Sequence, residues 1–277
     1  MKRFIAFAVS MTLVGCASFS PPKGQTSIRD RAQPLSATVT RNALTKLPPP
    51  LAPIPAAVYN IKDQTGQYKP SPSNGFSTAV MQGATSVLVK ALLDSRWFIP
   101  LEREGLQNLL TERKIIRARD SKKDLSNLAA ASVIIEGSII AYDSNVRTGG
   151  AGAKYLGIGL SEQYREDQVT VNLRAINVNN GRILQSVTST KMIFSRQLDS
   201  GAFGYIRFKK LLEIESGYSY NEPAQLCVID AIESALIQLI YEGVVGGTWK
   251  LKNPADIDSP IFTHYAGQNG PEGQAIM

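Results

Sequence analysis

Apolar positions along residues 56–142 alternate between two periods. AAVYNIK at 56–62 reads as a strand, and DQTGQYKPSPSNGF at 63–76 reads as a loop because Gly66, Pro70, Pro72, Asn74 and Gly75 punctuate it. Ser77 is suited to cap a helix over 78–94, where Val80, Ala84, Val87 and Ala91 recur at helical spacing. A short strand follows at 96–101 (RWFIPL). The pattern next predicts an amphipathic helix over 102–116, with Leu106, Leu109 and Leu110 on one face, and a short helix over 125–131. VIIEGSIIAY at 133–142 is rich in β-branched residues and predicts a strand. QVTVNLRAINV at 168–178, the turn Asn179-Asn180-Gly181 and RILQSVTST at 182–190 predict a hairpin. A long helix then carries Leu226, Ile229, Ile232, Leu236 and Leu239 on one stripe. Asn221 is placed to cap it, Pro223 falls in its first turn and Gly243 near its stop. Asp230, Glu233 and Gln238 interrupt its apolar surface, which suits a packed helix and not a membrane span. No element is predicted after Trp249. These elements describe an α/β domain.

Two segments depart from that pattern. Residues 142–164 and 190–218 are too long for simple turns. Each has a glycine-rich centre, at 149–152 and 201–204, with alternating flanks. Leu156, Ile158 and Leu160 share one face in the first segment. In the second, Met192, Phe194 and Leu198 precede the turn and Ile206, Phe208, Leu212 and Ile214 follow it, with Arg196 and Lys210 breaking the pattern. Tyr142, Tyr155, Tyr164, Tyr205 and Tyr218 fall near arm ends, where aromatic girdles occur. Such arms suit tilted strands of ~9–11 residues crossing a bilayer. They equally suit long surface hairpins of a soluble protein or a dimerisation edge. If they enter lipid, a closed barrel is required, because unsatisfied backbone groups at an open edge cost several kcal/mol each. One chain offers four such strands, so several copies would have to close a ring around a polar lumen.

The N-terminus changes the picture further. Lys2 and Arg3 precede an apolar run from Phe4 to Val14, too short to span a bilayer. It ends in Leu13-Val14-Gly15-Cys16, which is similar to a bacterial lipobox and predicts a diacylglycerol and an N-acyl chain on Cys16. Ala17 in place of aspartate favours the outer membrane. Residues 17–55 are rich in Pro, Ser, Thr and Ala and read as a tether or wrapping arm. The chain has one histidine and two cysteines in 277 residues, which argues against Cys/His zinc sites, CxxC redox motifs and serine triads. Cys227 reads as a buried helix residue and His264 as a surface one. The net charge of +7 is dispersed, so nucleic-acid binding is not indicated. GGAGAKY at 149–155 misses the phosphate-loop spacing.

The lipobox cysteine, VYNIKDQTGQYKP (58–70), FSTAV (76–80), DSRWFIPLEREGLQNLLTERKIIRA (94–118), EGSIIAYDSNVRTGGAGAKYLGIG (136–159) and SGYSYNEPAQLCVIDAIES (216–234) together resemble the CsgG family of curli secretion-channel lipoproteins. The resemblance covers roughly 56–250. It implies a nonameric ring in which each subunit gives four strands to a barrel of 36 strands, above a periplasmic α/β vestibule. It also implies ATP-independent export of unfolded, amyloid-forming curli subunits, with a periplasmic adaptor and surface-exposed accessory curli proteins as partners. No cofactor and no enzyme activity are implied. A constriction in that family lies between KP and FST and uses a tyrosine, an asparagine and a phenylalanine. The matching positions are Ser71, Gly75 and Phe76, so two of the three differ and a wider or less aromatic pore is expected.

The resulting organisation is a signal peptide at 1–15 and a lipidated arm at 16–55. A periplasmic α/β domain follows at 56–141, 165–189 and 219–250, interrupted by transmembrane hairpins at 142–164 and 190–218, with a tail at 251–277. A periplasmic lipoprotein scaffold without a pore is the alternative function.

Overall fold

The computed structural model describes residues 38–68, 78–120, 125–149, 162–198, 202–206 and 222–268. Six strands form one sheet: β1 (Ile54–Asp63), β2 (Phe98–Leu101), β3 (Val133–Gly149), β4 (Glu162–Asn177), β5 (Ile183–Leu198) and β6 (Ala202–Ile206), in the order β2-β1-β3-β4-β5-β6. β1 runs parallel to β2 and β3, while β3 to β6 form an antiparallel meander. The helices are α1 (Val39–Leu44), α2 (Ala84–Ser95), α3 (Leu106–Arg119), α4 (Glu222–Val245) and α5 (Pro260–Gln268), with a 3-10 turn at Pro254–Asp258.

α4 is the centre of the core. It packs on β4 and β5, and α1, α2 and α5 pack on it. By length and composition it qualifies as a membrane span, yet Cys227, Val228, Ala231, Ile232, Ala235, Leu236 and Leu239 are fully buried in the domain. Its polar interruptions are engaged. Asp230 pairs with Lys191 of β5, Glu233 accepts from the Thr38 hydroxyl at 2.7 Å, and Gln238 donates to Glu242 at 2.9 Å. The opposite sheet face is polar. Thr170 and Thr190 share a hydrogen bond, Asn172 donates to Thr188, and Arg174 pairs with Glu136 at 2.7 Å.

Three register shifts interrupt the described sheet, one in β5 at Leu184 and two, in β1 and β3, that bear on the site. In β1, Val58 faces Ile135 but Ile61 faces Gly137, so one extra residue is accommodated. Thr85 of α2 compensates, accepting the Ile61 N–H at 2.9 Å and donating to Asn60. In β3, Ile139 faces Val171 but Ala141 faces Thr170, which leaves Ile140 unpaired with β4. Core-facing positions are therefore odd up to Ile139 and even at Tyr142.

Several elements differ from the sequence expectation. The 38–53 part of the presumed tether is folded: Thr38 caps α1, Leu44 and Leu47 are buried, and Trp97 Nε1 donates to the Pro48 carbonyl at 2.8 Å. Pro50 forms a bridge with Leu251, so the arm and the C-terminal segment zip together. Hydrophobic periodicity misses this because the contacts are made by isolated residues and by backbone groups. α2 starts at Ala84 and is preceded by Gly83, not capped by Ser77, because the 78–80 limb is engaged with 67–68. Residues 125–131 form no helix; the carbonyls of Ser126 and Ala129 accept from Arg113 and Arg103 instead. A helix forms where one was expected over 102–116, but α3 begins only at Leu106 and runs on to Arg119, and none of its residues is buried. Ala202 to Gly204 lie within β6, so the glycine-rich centre expected at 201–204 is strand at those three positions. Gly243 sits inside α4, where a Cβ would come within 2.2 Å of the Trp249 ring. After Trp249, the 3-10 turn and α5 follow, and Phe262 and Tyr265 of α5 are buried. Pro223 does fall in the first turn of α4, and Gly181 turns the β4–β5 hairpin with φ +68°.

Candidate functional site

The region of interest is where β3 to β5 leave the helix-covered part of the sheet. β1 accompanies β3 only as far as Asp63, which is registered against Ile139. The Gln64 N–H donates to the Ile139 carbonyl at 2.9 Å, one residue before the unpaired Ile140. Beyond that point β3 continues to Gly149, paired with β4 back to Glu162. β5 continues to Leu198, and β6 pairs with it through Phe194 and Ile206.

The segment between β1 and α2 begins at the same level. Asp63 opens it with an Asx turn: Oδ1 accepts from the Thr65 N–H at 2.9 Å and the Thr65 hydroxyl at 2.8 Å. Gly66 follows at φ +63°, where a side chain would be strained. Tyr68 and Thr78 form an antiparallel bridge, and the Ala79 N–H donates to Gln67 at 2.9 Å. Residues 64–68 and 78–79 thus meet beside the root of the first hairpin.

Beneath the hairpin roots lies a buried polar cluster. Asp167 of β4 is fully buried and accepts the Tyr142 hydroxyl at 2.7 Å, while Cys227 Sγ donates to its carbonyl at 3.4 Å. Tyr142 is therefore a core residue, not part of an aromatic girdle. Burial, helped by the nearby Asp167 carboxylate, pushes the Cys227 thiol well up, so it stays protonated and unreactive. Burial also raises the Glu233 carboxyl and the Tyr265 phenol, each moderated by its hydrogen bond, from Thr38 and to Ser234 respectively. His264 is exposed, with its ring edge-to-face against Tyr265 at 5.5 Å.

Of the residues singled out in the sequence, Cys16, Ser71, Gly75, Phe76, Leu156, Ile158, Leu160, Phe208, Leu212 and Ile214 lie outside the described residues. Ile206 ends β6. Sequence reasoning missed the Asp63 turn, although the DQTG spacing carries its signal. It also missed the Ile140 bulge, since two adjacent isoleucines in a strand pattern do not say which of them is unpaired.

The model of the family described as curli production assembly/transport component CsgG matches residues 38–269, beginning at the Thr38 cap of α1. The chain belongs to the CsgG family. Curli production assembly/transport component CsgG of Escherichia coli strain K12 is 47% identical over 281 residues, covering 98% of this chain and 99% of that protein. The CsgG protein of Salmonella typhimurium strain LT2 is 48% identical, covering 96% of this chain and 97% of its own length. Among solved structures, the PelC dodecamer of Paraburkholderia phytofirmans gives a TM-score of 0.31 at 16% identity, covering 69% of this chain and 91% of that one.

Proposed function

We propose that the chain is one subunit of a lipid-anchored, ring-shaped outer-membrane channel that exports unfolded curli subunits without ATP. Membership of the CsgG family supports the curli transport role. The observation that carries the pore reading is the four-stranded antiparallel arc left uncovered by the rest of the domain. β3 to β6 pair in sequence, yet among the described residues β3 has no neighbour on its β1 side after Ile139 and β6 pairs only with β5. From Tyr142 to Gly149, β3 runs on by ~24 Å at a rise of ~3.4 Å per residue, close to the ~25 Å apolar band of outer-membrane barrels. Two open edges on alternating strands suit closure by further copies, since an open edge is not tolerated in lipid.

The nonameric count of 36 strands, the acyl chains on Cys16 and the periplasmic and surface partners follow from the family resemblance. Ser71, Gly75 and Phe76 would line the constriction, with Ile206 and the other alternating apolar residues of the arms facing lipid. Counting subunits in images of the detergent-extracted lipoprotein and recording conductance in planar bilayers tests the proposal. A ring that conducts supports it; a monomer that conducts nothing leaves the scaffold alternative.

A further inference from the structure

The geometry points to Asp63 as a positioning residue that fixes the two limbs flanking the 69–77 segment, 64–68 and 78–82, against the root of the first hairpin. This rests on the reading of that segment as the constriction. The two oxygens of one carboxylate address opposite limbs. Oδ1 takes the Thr65 N–H and hydroxyl on the outgoing limb, and the Thr65 hydroxyl in turn accepts the Gln67 N–H at 3.3 Å. Oδ2 takes the Gln82 side-chain amide at 3.3 Å on the returning limb, and the same amide reaches the Thr78 hydroxyl at 3.1 Å. Thr78 donates onward to the Val80 carbonyl at 2.9 Å.

These bonds back up the one place where the limbs touch through their backbones, the Tyr68–Thr78 bridge and the Ala79-to-Gln67 bond. Asp63 is itself fixed. It is the last residue of β1, registered against Ile139, and its neighbour Gln64 donates to the Ile139 carbonyl. Asp63 thus joins three elements: the hairpin root through its backbone, and the outgoing and returning limbs through its carboxylate. Its bonds lie in exposed or half-buried surroundings, where each contributes only ~1 kcal/mol net. Its main consequence is therefore the placement of the limbs and not the stability of the domain. Asparagine at this position keeps the Oδ1 acceptor, and Gln82 can turn its amide to present oxygen to the new NH₂.

The experiment compares full-length Asp63→Ala, Asp63→Asn and Phe76→Ala lipoproteins with the wild type. Amide exchange and single-channel current in planar bilayers are both measured. Asp63→Ala is expected to speed exchange at Thr65, Gln67 and Ala79 by about tenfold, the loss of one or two hydrogen bonds. It should also shift conductance and raise open-channel noise, while Asp63→Asn behaves as wild type in both. Unchanged exchange at those three amides in Asp63→Ala overturns the inference. So do Asp63→Ala channels that match wild type while Phe76→Ala channels differ, an outcome that leaves the pore reading standing. A wild-type ring that conducts nothing overturns the pore reading instead, and the exchange pattern still decides whether Asp63 holds the limbs.

Discussion

The Thr85 hydroxyl accepts the backbone N–H of Ile61 at 2.9 Å, across the bulge that interrupts β1. Both groups are buried, and Thr85 is 4% exposed. Thr85→Val keeps the shape and removes the acceptor, which strands a buried N–H at a cost of ~1–3 kcal/mol. Thermal unfolding should show the loss, whereas Thr85→Ser should stay within about 1 kcal/mol of wild type. Equal stability of Thr85→Val and wild type would mean that the bulge amide is satisfied elsewhere.

Gly243 is required by Trp249. A Cβ at 243 would approach the ring to 2.2, 2.6 and 2.8 Å at three of its atoms, and that ring also packs edge-on against Phe98 with centroids 5.4 Å apart. Gly243→Ala should therefore destabilise by ~1–3 kcal/mol through overpacking, despite alanine's higher helix propensity. Tm and near-ultraviolet tryptophan signals check it. Unshifted values would show that the ring has room to move.

Lys191 is the cation paired with Asp230 beneath α4. Lys191→Met would leave Asp230, at 6% exposed, near the Glu233 carboxyl without it. Losing one partner of a buried pair costs ~3–5 kcal/mol, and the 38% exposure of the Lys191 side chain places the expected loss below that range. The double variant Lys191→Met/Asp230→Leu should recover most of it. A double variant as unstable as the single one would assign the loss to packing.

Glu233 gives a pH signature. Burial, its largest influence, raises its carboxyl above the usual 4.5, against the hydrogen bond from Thr38 and the charge of Arg41. Its folded form therefore holds a proton that the unfolded form releases. The stability from that proton is complete below the unfolded value and is lost as pH rises through the raised one. Glu233→Gln removes the loss, so its urea midpoint should change less than wild type between pH 4.5 and neutrality and lie higher at neutral pH. Parallel curves for the two proteins would refute this.

Ser71 and Phe76 bear on conductance. Ser71→Tyr should lower single-channel current and Phe76→Ala raise it, with Tm unchanged. Unaltered current in both variants would remove 69–77 from the narrowest part of the pore.

The regular elements were legible where periodicity carries them: the hairpin around Gly181, the strand at 133–142 and the stripe of α4. Burial was less legible. Leu106, Leu109 and Leu110 do share a face of α3, yet no α3 residue is buried, because a helical period states what shares a face and not what covers it. The folded part of the arm was hidden for the opposite reason. Pro48 contributes a carbonyl to Trp97, and no side-chain pattern records a backbone acceptor. The candidate site was legible as segments, through their length and glycine centres. Its scaffolding at Asp63 depends on Gln82, nineteen residues away, and on a turn geometry that alternation does not encode.

Ile140 separates two reading frames in one strand. Below it the domain decides which residues face α4, and above it the hairpin begins its own alternation from Tyr142. A lost or gained residue at this single position would leave the residues below it in place and exchange the two faces of β3 above it, while β4 opposite kept its own alternation. The unpaired isoleucine therefore acts as a phase marker, setting which side of β3 turns toward α4 at Tyr142 independently of the residues below it.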